Sequence, residues 1–155
     1  MNIQLLLILF SVIVFFGYVS YIWKRYGVLY SISASYYELP SKLQFIFTLV
    51  TWGYCLPLLI VGNNQWFFLA GASLAFTGAS PAFKEKVEGL VHVGGTVLAI
   101  LFANIGILLA GFWYVPVILG VVSIIIALIN KHSTWWIEIV SYIGAIVGLL
   151  LIIFK

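Results

Sequence analysis

Aspartate is missing from this 155-residue chain, and its four acidic side chains are all glutamates. That absence excludes aspartate-based intramembrane proteolysis, a Ser-His-Asp triad and Asp-x-x-Asp metal motifs. Cysteine is nearly missing too. Cys55 stands alone, so no disulfide can form within the chain, and redox compartment cannot be read from it. Charged residues make up 7% of the sequence, too few to cover a water-facing globule. No His-Glu-x-x-His pair, glycine-rich phosphate loop, heptad seam or C-terminal lipidation box occurs. The spacing of the two histidines and four glutamates matches no metal signature, so neither a metal nor a cofactor is expected.

What the chain has instead is apolar surface: 65% hydrophobic residues and a mean hydropathy of +1.22. A helix needs about 20 mainly apolar residues to cross a bilayer. Six runs approach or reach that length, near 3–23, 43–62, 66–82, 89–110, 113–130 and 136–154. No run alternates like the strands of a membrane barrel. The expectation is an all-α, polytopic transmembrane bundle of six spans, forming one domain over residues 1–155.

The basic residues give this bundle an orientation, because Lys and Arg beside span ends are retained in the cytoplasm. Lys24, Arg25 and Lys42 lie in the first loop, Lys84 and Lys86 in the third, and Lys131 in the fifth. The second loop (Gly62, Asn63, Asn64, Gln65) and the fourth (around Trp113 and Tyr114) have none, and only Lys155 opposes the pattern. Both termini are therefore expected outside, in a membrane of the bacterial cytoplasmic type. The N-terminal run lacks the basic start and small-residue cleavage site of a secretory signal and reads as a retained first helix. The net charge of +3 comes mainly from these topology signals, so membrane lipids are the expected contacts and nucleic acid is not.

Helices in lipid associate where small residues let backbones approach. Span three is rich in them, including Gly71 and Gly78. Span four repeats Gly95, Ala99 and Ala103, and span six carries Gly144 and Gly148 as Gly-x-x-x-Gly. Spans three and four are expected to form the packed centre. The stripe on span six suits packing within the chain or, alternatively, a homo-oligomer or another membrane protein. Pro57 should kink span two, whereas Pro81 and Pro116 punctuate span ends. Trp23, Trp66, Trp113, Trp135 and Trp136 fall at span ends, the depth of an interfacial aromatic belt.

Ionisable groups inside spans cost at least ~2.5–3.5 kcal/mol near the bilayer centre and are functional candidates by default. His92, at the start of span four, and Glu138, at the start of span six, qualify. Glu88 precedes His92 by one helical turn, and His132 lies close to Glu138. The topology gathers these on the cytoplasmic side with the first-loop residues Ser33, Tyr36 and Tyr37. A simpler account places His92 and Glu138 within snorkelling reach of the interface. The midplane offers Thr48, Thr51, Ser73, Asn104 and Ser123, which do not exchange protons, and this counts against a pump.

The string Ser31-Ile32-Ser33 followed by Tyr36-Tyr37, the small-residue-rich third span and the start Val91-His92-Val93 of the fourth resemble a group of bacterial membrane proteins of about this size with no assigned activity. That resemblance implies a bundle of six to seven helices. A Ser-His pair on a helical bundle is also similar to the ceramidase-like membrane hydrolases. The chain departs from their pattern, lacking the aspartate and having two histidines where they have several. The reading is thus a non-enzymatic accessory, binding or small-solute or lipid-handling module with a cytoplasm-facing polar cluster. The alternatives are a channel or transporter lined by spans two to four, and a hydrolase using His92 with Glu88 or Glu138.

Overall fold

The computed structural model describes residues 2–62, 64–80 and 86–155, with side chains described from residue 90 in the last stretch. Asn63, Pro81 and Lys84, and the side chains of Lys86 and Glu88, lie outside the described residues. The elements are α1 (Ile3–Tyr26), a one-turn α2 (Ser35–Glu38), a 3-10 turn at Ser41–Leu43, α3 (Phe45–Ile60), α4 (Gln65–Ala79), α5 (Lys86–Leu109), α6 (Tyr114–Ile129) and α7 (Ser133–Ile153). Among the described residues the protein is all-helical.

Local chemistry sets the helix ends. Asn2 caps α1 by accepting the Gln4 N–H at 3.1 Å. Asn64 caps α4 by accepting the N–H groups of Trp66 and Phe67, both at 3.0 Å. At the end of α5, Gly111 takes φ +96°, and the Phe112 N–H returns to the Ile107 carbonyl at 3.2 Å. That backbone reversal favours glycine and lets α6 follow at once. The α3 helix continues through Pro57, whose carbonyl accepts the Val61 N–H at 2.8 Å.

Four helical stretches are long and apolar enough to cross a membrane: Ile3–Tyr26, Ser41–Ile60, Leu90–Leu109 and Ser133–Ile153. Helices α4 and α6 coincide with the other two apolar runs of the sequence but have 15 and 16 residues. They span roughly 22–24 Å at the α-helical rise, less than the ~30 Å hydrocarbon core.

Helix α4 packs between α3 and α5, α1 lies on α3, and α6 lies on α7. Glycines make the α3–α4–α5 contact possible. A Cβ on Gly78 would stand 2.7 Å from Thr51 Cβ, one on Gly71 2.8 Å from Leu59 Cγ, and one on Gly95 2.6 Å from Thr77 Oγ1. The carbonyl of Gly78 also accepts the Thr48 hydroxyl at 2.8 Å. Gly144 and Gly148 are likewise occupied within the chain, by Leu119 of α6 and Ile107 of α5.

Helix α7 closes the bundle. Trp135, Tyr142 and Leu149 recur every seven residues and are all buried. The sequence places Trp135 in an interfacial belt, but its ring is 1% exposed. The reason is that α7 starts at Ser133, so Trp135 joins the inward face of the helix. Trp23 and Trp113 are exposed, as belt rings would be.

Candidate functional site

A hydroxyl buried among apolar helices is costly unless it finds a partner. Ser11, fully buried in α1, gives its proton to the Tyr54 carbonyl of α3 at 3.0 Å and so accepts the Tyr142 hydroxyl of α7 at 2.6 Å. Four residues on, Phe15 stacks on Tyr142 with centroids 3.8 Å apart and meets Tyr54 edge-on at 5.2 Å. These contacts draw α1, α3 and α7 together around one aromatic cluster.

That cluster walls a partly open chamber of about 90 Å³, well above the ~10–15 Å³ that one water needs. Phe15, Phe47, Leu58, Leu74 and Ile100 supply apolar wall. Ala99 and Ala103 of α5 leave the space open because their side chains are short. The polar groups on the wall are Ser33, Thr77, Thr96, Glu138, Ser141 and the two tyrosines. All the long helices except α6 contribute.

The first loop folds into the bundle instead of standing in water. Ile32, Ser35 and Leu39 are buried. Ser35 donates to the Ile32 carbonyl and accepts the Tyr18 hydroxyl of α1 at 2.6 Å. The Ile32 N–H donates to Glu138 Oε2 of α7 at 2.6 Å, short for an N–H···O bond. Ser31 Oγ accepts the Ala34 N–H at 3.1 Å and pairs with Ser33 Oγ at 2.9 Å. The loop is therefore a structured plug, pinned to α1 by Tyr18 and to α7 by Glu138.

Beside the plug lies a second cavity, a vestibule of about 230 Å³. Tyr30, Ser31, Tyr36, Tyr37, Ser80 and His92 line it, and Ser33 and Phe47 stand on the walls of both cavities. His92 Nδ1 is 2.9 Å from Ser80 Oγ, and Ser80 Oγ is 2.8 Å from the Thr77 carbonyl. Ser80 Oγ thus lies within hydrogen-bond reach of both the Thr77 carbonyl and the histidine ring, and the His92 tautomer sets which of the two receives its proton.

The candidate residues of the sequence thus divide. Ser33, Tyr36, Tyr37 and His92 meet in the vestibule, and Glu138 faces the inner chamber. His132 lines neither; its backbone N–H is tied to Asn130 Oδ1 at 2.9 Å. The side chain of Glu88 lies outside the described residues. Among the described residues, no three His, Cys, Asp or Glu side chains come together as a metal site would require. Thr48, Thr51 and Asn104 all bond backbone carbonyls, at 2.8 Å each.

Ser11, Tyr18, Tyr54 and Tyr142 build the site without having been singled out in the sequence. Signals in the sequence point to two of them: Tyr142 follows Glu138 by one helical turn, and Ser11 is an isolated hydroxyl amid an apolar run. No family model matches this chain, and no curated protein or solved structure does either.

Proposed function

We propose that this protein is a non-enzymatic membrane-embedded binding module, which holds a small, mainly apolar ligand in the chamber between its helices. In this reading all six long helices cross the bilayer of a bacterial-type cytoplasmic membrane, with both termini outside. The short α4 and α6 are accommodated by local thinning of the bilayer. The first loop and the vestibule then face the cytoplasm, as the distribution of Lys and Arg requires.

The observation that carries the reading is the chamber: a partly open, mainly apolar space with a few convergent polar groups, the usual character of a ligand site. Its far end favours binding over conduction. Phe67, Ile107 and Leu149 are fully buried there, Phe67 lies against Gly106, and Ile107 lies against Gly148. An apolar layer of this kind gives ions and polar solutes no path, which speaks against a channel lined by spans two to four.

Native mass spectrometry of the protein released from gentle detergent tests the proposal. The expected result is a reproducible added mass that disappears when Ala99→Leu and Ala103→Leu fill the chamber. A bare protein in both forms overturns the binding reading and directs the search to protein partners.

A further inference from the structure

Among the described residues, Glu138 has no cation to pair with. Lys24, Arg25, Lys42, Lys131 and Lys155 are all exposed, and among the described residues no Lys, Arg or His stands on the chamber wall. Among the described residues its hydrogen-bond partner is one backbone N–H, that of Ile32, on Oε2. A carboxylate held in apolar surroundings without a counter-charge is costly. Around the same space stand Phe15, Phe47, Tyr54 and Tyr142, and aromatic rings attract cations.

We infer that the chamber takes a small organic cation, an aliphatic ammonium whose charged head pairs with Glu138 while its short apolar tail lies among the aromatic and aliphatic walls. This rests on the binding reading above and names the class of ligand. The carboxylate selects against anions, which it repels, and against neutral isosteres, which leave its charge unpaired. The size of the chamber limits the occupant. About 90 Å³ holds few heavy atoms, and anything longer extends past Ser33 and Phe47 into the vestibule. The tether from Ile32 to Glu138 makes the plug and the ligand share one carboxylate, so occupancy and loop position are coupled.

The test is isothermal titration of the full-length protein in zwitterionic lipid nanodiscs, with empty discs subtracted, using three probes of matched length: n-butylammonium, n-butanol and butyrate. Wild-type protein should bind butylammonium at least tenfold more tightly than butanol and should not bind butyrate. Glu138→Gln should abolish the preference, bringing butylammonium level with butanol. Glu138→Asp keeps the charge and withdraws it by one methylene. It should retain the preference at reduced affinity, and it supplies the answer if the glutamine variant does not fold. Equal affinity of butanol and butylammonium for the wild type overturns the cation assignment and leaves the binding module standing. Binding of no probe, together with no retained mass in the native spectrum, overturns both.

Discussion

Helices α4 and α6 are both short, strandless stretches of apolar sequence, yet the protein treats them oppositely. Helix α4 is wedged between α3 and α5 and gives Leu74 and Thr77 to the chamber. Helix α6 buries only Val115, lies against the outside of α7 and leaves Leu128 80% exposed. Hydrophobicity does not separate them in the expected direction, because the more apolar helix is the outer one. In lipid there is no gain from hiding an apolar side chain from its solvent, so size decides. The glycines and alanines of α4 admit close neighbours, whereas the Val and Ile side chains of α6, in the membrane reading proposed above, face acyl chains.

This contrast can be broken most directly at paired glycines. Gly71→Leu or Gly78→Leu should cost about 3 kcal/mol or prevent folding, because Leu59 and Thr51 already fill the space. Thermal unfolding in detergent reads the loss. Gly120→Leu on α6 is the matched control, since nothing lies within 4 Å of its position. A loss there as large as on α4 would refute the size argument.

A smaller effect is expected from Gly95→Ala, about 1–2 kcal/mol, because the new methyl meets Thr77 Oγ1 and the Ser73 carbonyl, and the carbonyl cannot yield. Ser11→Ala removes the hydrogen bond that joins α1 to α7. It should cost about 0.6–1 kcal/mol, as single polar contacts in membrane bundles do, and should loosen the chamber wall. A faster backbone amide exchange near Tyr142 would accompany it. At the bottom of the range, Leu128→Ala on α6 should stay within about 0.5 kcal/mol of wild type. A clear destabilisation by that change would mean that α6 is covered by protein and not by lipid.

Much of this arrangement was legible beforehand. The apolar runs gave the helix positions, and the small residues of spans three and four gave the packed centre, because both depend on local composition. The site was less legible. Glu138 stood out as an ionisable group in a span, but its neighbours did not: Ser11 and Tyr142 lie 131 residues apart, and their bond exists only once α7 has closed against α1. The first loop was read as a cytoplasm-facing segment offering Ser33, Tyr36 and Tyr37, and its folding into the bundle, with Ser35 and Ile32 buried, was not foreseen. Ser, Ile and Tyr in a short loop carry no periodic signal of burial. The cytoplasmic cluster was read as one site, and the helices deliver its members to two cavities.

Lys155 illustrates the same division of labour. In the sequence it was the one basic residue against the topology rule. In the structure its ammonium donates to the Ala110 carbonyl at 3.0 Å and lies 5.5 Å from the Phe112 ring centroid, closing the exposed end of α5. By itself the sequence determined that the chain is helical, apolar enough for a membrane, and tightest where glycine and alanine are dense, since these follow from composition and spacing along one helix. Only the tertiary structure decided that α7 turns Trp135, Glu138 and Tyr142 inward, that the first loop plugs the bundle, and that a chamber remains between them. Those outcomes depend on which faces of distant helices meet, and no local pattern encodes that.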